Sequence, residues 1–325
     1  MKVSVIADPR EICSKKGFFE YFFNILSSVR ERGIDIELGF DEGSSPGYVI
    51  ALGQVGASES ALRIELEDDY TLVAKELFGF LGGLLLGEHE QHTVKMFGYI
   101  EDAEARLARI ERAYSGKVIV FLYKEGLVTT LKVLCEKNSP AVSDIFSEFN
   151  RNIYAEEDVR LDARLLELLS VRNKTLCVAE SLTGGMICST IIDNPGASKV
   201  FDEGLITYSN SSKTDRLGVD PEVIRNYGAV SYQAAYEMAA GLIMKGNCDI
   251  AIATTGIAGP EGGSLSKPVG LTFIAVGTGE KIHVFRHVFK GDRQQIRLAA
   301  SQAAMFYAIK RLKDFSLDYE EIRIN

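Results

Sequence analysis

The sequence predicts an α/β protein whose C-terminal part is a three-layer α/β/α sandwich, preceded by a small α+β linker domain and a short N-terminal α/β domain. Two observations carry this. Short apolar runs alternate with amphipathic helical periods across residues 174–313, which is the pattern of a sheet covered by helices on both faces. Turn and cap residues separate those runs at nearly every junction. The expected boundaries are 1–90, 91–157 and 158–325.

In the first unit, KVSVIA, IDIELGF and GYVIALG read as strands, and FFEYFFNILSSVRERG as an amphipathic helix ending at Gly33. Phe18, Phe19, Phe22 and Phe23 on that helix suit a core slightly better than a dimer face. FGFLGGLLLG, at 78–87, is too short and glycine-rich for a membrane span and reads as a buried helix or loop. The second unit opens with the charged helix EDAEARLARIERAYSG. A strand pair turning at Glu125-Gly126 and a helix in SDIFSEFNRNIY follow. EEDVRLDARLLELLSVRNK, with leucines at 161, 165, 168 and 169, is a helix leading into the third unit.

There TLCVAE is a continuous apolar strand, followed by a helix opening at Thr183-Gly184-Gly185 and closing before Asn194-Pro195. VFDEGLITYS and DIAIAT are strands, and VGLTFIAVGTG with KIHVFRHVF forms a hairpin or adjacent strands. Asp220 before Pro221, Ser231 and Asp292 stand where helix N-caps belong.

Composition narrows the function. The 325 residues carry 46% hydrophobic side chains and a net charge of −9, ordinary for a globular protein and unfavourable for a general nucleic-acid grip. MKVSVIADPR reads as a strand rather than a secretory leader. Five scattered cysteines without CxxC spacing fit a reduced, cytoplasmic setting. No metal or organic cofactor is expected. HEQH at 89–92 has two histidines at i, i+3 but lacks a third ligand nearby, so it counts only weakly as a metal site. His283 and His287 read as packing or surface residues, and Cys177 and Cys188 as small buried hydrophobes.

Chemistry concentrates where three apolar runs end in polar loops, AESLTGG, TYSNSSKT and TTGIAGP, because sites of open α/β sheets lie beyond the carboxyl ends of strands. In the first loop Ser181 is a candidate nucleophile or anion ligand. The competing reading has Ser181 or Thr183 capping a helix that Gly184 and Gly185 pack against the sheet. The loop is neither a G-x-S-x-G elbow nor a P-loop. In the second, Lys213 suits a general base if burial lowers its pKa, and Tyr208 a relay or orienting group; the plain alternative is a surface lysine. In the third, Thr255 and Gly256 offer a hydroxyl and backbone N–H groups. Arg293 and Arg297, at i, i+4, share one helix face suited to a phosphate or simply to solvent.

These motifs, with PGAS (195–198), GLITYSNSSKTDRLGV (204–219), GAVS (228–231), ATTGIAGPEGG (253–263) and KGDRQQIR (290–297), resemble the C-terminal domain of the CinA family, the nicotinamide mononucleotide deamidases. Residues 92–170 resemble the family's linker domain. The resemblance implies hydrolysis of the nicotinamide mononucleotide carboxamide to nicotinic acid mononucleotide and ammonia; from the residues, a cytoplasmic homodimer binding neither nucleic acid nor membrane is expected. The resemblance also implies Ser181, Tyr208 and Lys213 as the catalytic group, and Thr183, Gly184, Gly185, Thr255, Gly256, Arg293 and Arg297 in substrate binding, with Arg297 preferred for the phosphate. Residues 1–90 depart from the family's molybdopterin-binding-like domain, keeping only Asp68-Asp69 and Thr71 recognisably, so that domain is expected to be degenerate. The rival readings are a non-catalytic nucleotide-binding or regulatory module, and a phosphatase or pyrophosphatase in the N-terminal unit.

Overall fold

The computed structural model describes residues 2–7, 35–39, 48–52, 62–64, 89–114, 118–245 and 248–313. The predicted helix at 18–33, the apolar stretch at 78–87, Asp68, Asp69, Thr71 and Cys13 lie outside the described residues. The chain divides into two compact units. One is Met1–Thr93 with Asp102–Lys124 and Thr130–Glu148; the other is Val94–Glu101 with Glu125–Thr129 and Phe149–Asn325.

The first unit holds β1 (Lys2–Ala7), β2 (Asp35–Gly39), β3 (Tyr48–Leu52) and β4 (Leu62–Ile64). They form a parallel sheet in the order β2-β1-β3-β4. The three strands expected here are present, and β4 adds one. Farther along come the start of β5 (His89–Phe97), helix α1 (Ala103–Ala113), β6 (Val118–Glu125), β7 (Val128–Glu136) and helix α2 (Ala141–Phe149). Strand β5 was not expected; its odd and even residues alternate only from Thr93 onward, after the polar HEQH.

In the second unit the end of β5 pairs antiparallel with the short β8 (Ile153–Ala155). Helix α3 (Leu161–Val171) leads to β9 (Leu176–Glu180), α4 (Met186–Ile192), β10 (Phe201–Ile206) and α5 (Asn210–Leu217). Then come α6 (Pro221–Tyr227), α7 (Tyr232–Met244), β11 (Ile250–Gly256), β12 (Leu271–Gly277), β13 (Ile282–Val288) and α8 (Arg293–Lys313). The sheet order is β10-β9-β11-β12-β13. Strands β9, β10 and β11 run parallel and the last two antiparallel, so the sheet is mixed. No helix among the described residues is long and apolar enough to cross a membrane.

The two faces of this sheet are packed differently. Val178, Ile250, Ile252, Ile274 and Val276 point to the side covered by α3, α4 and α8. Their neighbours Cys177, Ala179, Ala251, Ala253 and Ala275 point to the other, against Ala235, Met238 and Ala239 of α7. Alternation of strand side chains sets this division. The alanine-lined face brings α7 close, completing the three layers expected from the sequence. The expected caps form as well. Asp220 accepts from the Glu222 amide at 2.8 Å, Ser231 from Ala234 at 3.1 Å, and Asp292 from Gln295 at 2.9 Å.

Gly241 sits mid-helix in α7, where alanine is about 1 kcal/mol better on propensity alone. A Cβ there would stand 1.9 Å from the Leu217 carbonyl oxygen, so contact rather than propensity decides the sign. Gly241→Ala should destabilise the domain by about 2 kcal/mol or more, read from the denaturant midpoint; an unchanged or higher midpoint would contradict this packing.

Candidate active site

Because β10, β9 and β11 are adjacent and parallel, their carboxyl ends bring the three polar loops together. Ser181 follows β9, Thr207 and Tyr208 follow β10, and Thr255 and Gly256 close β11. The Ser181 amide donates to Thr254 O at 3.0 Å, and the Thr207 amide to Glu180 O at 2.8 Å, extending the strand pairing into the loops. A cavity of about 240 Å³ is lined by Ser181, Leu182, Tyr208, Lys213, Ala229, Val230, Thr255, Gly256, Ala258 and Arg293.

At its floor, Lys213 Nζ lies 3.0 Å from Ser181 Oγ. The amine also donates to the carbonyls of Thr207 at 2.8 Å and Tyr208 at 3.3 Å. Lys213 reaches this position from the first turns of α5, whose N-cap Ser209 accepts from Ser212 N at 3.0 Å. The lysine is only 1% exposed and Ser181 7%. Among the described residues no carboxylate lines the cavity. Burial without a counter-ion disfavours the ammonium and brings the Lys213 pKa down to about 8. The geometry serves both protonation states. An ammonium places its three N–H groups on three oxygens; a neutral amine keeps the two carbonyls and turns its lone pair to the serine hydroxyl. Serine beside a buried lysine of lowered pKa is the constellation of an activated nucleophile.

The helix after the serine is not capped by a hydroxyl. The buried carboxylate of Glu180, the last residue of β9, accepts from the amides of Gly185 at 2.9 Å, Ile187 at 3.2 Å and Cys188 at 2.9 Å. This sets aside the competing reading in which Ser181 or Thr183 caps α4. A carboxylate at a helix N-terminus meets free N–H groups and the positive end of the dipole. It also leaves Ser181 uncommitted. Gly184 and Gly185, at φ +60° and +92°, make the left-handed turn that allows the chain to fold back onto Glu180.

The remaining predicted residues divide between cavity and frame. Thr183 is fully buried, its hydroxyl 2.8 Å from that of Thr254. The Thr255 hydroxyl donates to Ala229 O at 2.8 Å, tying β11 to the cavity wall. Tyr208 meets Lys213 through its backbone carbonyl, while its exposed phenol accepts from Arg293 Nη2 at 3.3 Å. The two arginines separate. Arg297 is engaged by the loop itself, donating to Leu182 O at 3.2 Å and Thr183 O at 2.7 Å. Arg293 lines the cavity and donates its other nitrogen to Gly259 O at 2.9 Å. Arg297, preferred from the sequence for a phosphate, thus braces the serine loop. Cys177, Cys188 and Cys248 are free thiols, and His287 is buried against Tyr307, its Nε2 2.9 Å from the phenol oxygen.

Fold and site define a three-layer α/β/α domain with a buried serine–lysine pair at the carboxyl ends of its parallel strands. Residues 158–312 match the family model of the CinA C-terminal domain, and the chain belongs to the CinA family through this domain. It is similar to a putative competence-damage inducible protein of Clostridium beijerinckii, 48% identical over 162 residues, which cover 50% of this chain and 40% of that protein. Another of that name, from Halothermothrix orenii, is 36% identical over 251 residues, covering 77% of this chain and 59% of the relative. The chain therefore spans about half the length of such curated relatives. A crystal structure of the competence/damage inducible protein CihA from Agrobacterium tumefaciens is 36% identical, covering 47% of this chain and 94% of that one at a TM-score of 0.46.

Two outcomes follow. Glu180→Ala should lose on the order of 3 kcal/mol of stability, because three amides lose a charged acceptor; a loss within about 0.5 kcal/mol would show that water replaces it adequately. For Lys213, the folded pKa lies below the unfolded value of 10.5. The unfolded chain then holds the extra proton between about pH 8 and 10.5, so stability contributed by this residue rises with pH across that window. The wild type should gain on the order of 3 kcal/mol relative to Lys213→Met between pH 7 and 10.5, read from chemical unfolding at each pH. Parallel stability curves would contradict the shift.

Proposed function

We propose that the chain hydrolyses the carboxamide of a pyridine nucleotide, nicotinamide mononucleotide, to nicotinic acid mononucleotide and ammonia. The observation that carries the reading is the 3.0 Å contact between Ser181 Oγ and a buried lysine whose pKa is lowered to about 8. Simple nucleotide binding does not call for a lysine desolvated against a serine hydroxyl.

In this mechanism the neutral Lys213 amine takes the Ser181 proton while its two N–H groups stay on the carbonyls of Thr207 and Tyr208. Ser181 Oγ attacks the carboxamide carbon and the carbonyl becomes an oxyanion. The amides of Leu182, Thr183 and Gly184 have no acceptor among the described residues, which suits them to receive that oxyanion. Lys213 then passes its proton to the departing nitrogen and ammonia leaves. A water molecule, deprotonated by the same amine, cleaves the ester and releases the acid. Direct attack by water with Ser181 only orienting the amide is the nearest variant, and trapping an acyl group on Ser181 separates the two.

Leu182, Ala229, Val230 and Ala258 supply apolar walls for the ring. Arg293, exposed on the wall of a cavity whose described lining includes no carboxylate, suits the phosphate, with the Tyr208 phenol beside it. The four free thiols Cys135, Cys177, Cys188 and Cys248 support work in a reducing, cytoplasmic setting.

Ammonia release from nicotinamide mononucleotide should fall at least about a thousandfold in Ser181→Ala. Arg293→Ala should raise KM by about tenfold or more with a smaller change in kcat. Below pH 8 the wild-type kcat/KM should drop about tenfold per unit as Lys213 takes up its proton. Equal rates for wild type and Ser181→Ala would remove the serine from the mechanism. No release by either protein would favour a binding module.

A further inference from the structure

Far along the chain from this site, β5 and β7 lie side by side in the first unit. Glu90 and His92, at i, i+2 on β5, project to the same face of the strand. Cys135, near the end of β7, joins them. The ligating atoms of the three side chains all lie within 4.8 Å of one another. We propose that Glu90, His92 and Cys135 form a binding site for one divalent transition-metal ion of the zinc class.

Three features support the assignment. The donor set is one thiolate, one imidazole and one carboxylate, the combination favoured by zinc and its open-shell neighbours rather than by magnesium or calcium. The separations are close to those a metal imposes. Zn–S and Zn–N bonds of about 2.3 and 2.0 Å in a tetrahedron place sulfur and nitrogen about 3.5 Å apart, so closure needs side-chain rotations rather than backbone movement. Finally, His92 Nε2 is shielded from water and stands 3.2 Å from Glu90 Oε1, so the imidazole and the carboxylate already face one another. A ring nitrogen shielded from water and facing a carboxylate is placed as a ligand would be.

The surroundings hold the set in place. Glu90 Oε1 accepts from the Asn138 amide at 2.9 Å, which fixes the carboxylate beside His92. Cys135 is fully buried, while the Glu90 and His92 side chains are 35% and 33% exposed, so an ion reaches the thiol past those two. On binding, the thiol releases its proton to solvent as the metal–sulfur bond forms, and water completes the coordination. The sequence pointed to HEQH but gave no third ligand, because Cys135 arrives only through the pairing of neighbouring strands.

The test uses the full-length chain, stripped of metal with a chelator and titrated with Co(II). Wild type should bind one equivalent and develop the near-ultraviolet sulfur-to-cobalt charge-transfer band together with intense visible bands of low coordination number. Cys135→Ser should lose the charge-transfer band, and His92→Gln and Glu90→Gln should each weaken binding by about tenfold or more. Zn(II) should displace the cobalt and raise the thermal midpoint of wild type but not of the variants. If Cys135→Ser does not fold, the His92 and Glu90 variants decide: unchanged cobalt affinity in both overturns the site. Absence of the band in wild type, or its persistence in folded Cys135→Ser through another cysteine, overturns it equally.

Discussion

The interaction on which the proposed chemistry depends is the burial of Lys213 against Ser181 with no carboxylate among the described residues that line the cavity. Charged lysines are almost never fully buried unless paired. This one is held by three oxygens, of which two are backbone carbonyls just beyond β10. Carbonyls stabilise the amine in either protonation state, whereas a carboxylate would fix it as an ammonium. The missing counter-ion is therefore what lets burial lower the lysine's pKa, and it costs folding stability to keep.

The rest of the site serves that pair. Glu180 takes the duty of capping α4, so that the hydroxyls of the loop are released from it. Arg297 ties the carbonyls of Leu182 and Thr183 to α8, and Thr255 anchors the opposite wall. These bonds join α8 and the ends of two strands into one rigid frame, which supports the preorganised geometry that nucleophilic chemistry needs. Arg293, one turn before Arg297, faces the cavity instead. A single helix thus supplies one arginine to structure and one to the opening.

Much of this was legible in the sequence. Alternating apolar strands and helices gave the sandwich, and cap residues at Asp220, Ser231 and Asp292 located helix starts, because both signals are local. The convergence of the Ser181, Lys213 and Thr255 loops was also readable, since parallel strands put their carboxyl ends on one side. What could not be read depended on which long side chain reaches which distant atom. Glu180 looked like the end of a strand, and its bonds run forward to amides up to Cys188. Arg293 and Arg297 share a helix face by spacing, and only the position of the serine loop tells them apart. Strand β5 escaped because its first residues are polar, and β8 because three residues carry too little pattern.

The central claim is that burial lowers the Lys213 pKa to about 8, which leaves a reactive fraction of the amine neutral near physiological pH. It is tested most directly by NMR titration of the lysine side-chain Cε resonances, with the Lys213 signal assigned by its loss in Lys213→Arg. The account predicts a midpoint near 8, set apart from the other lysines. A midpoint at or above about 10 would mean that the ammonium persists, and would contradict the proton transfer on which the proposed reaction rests.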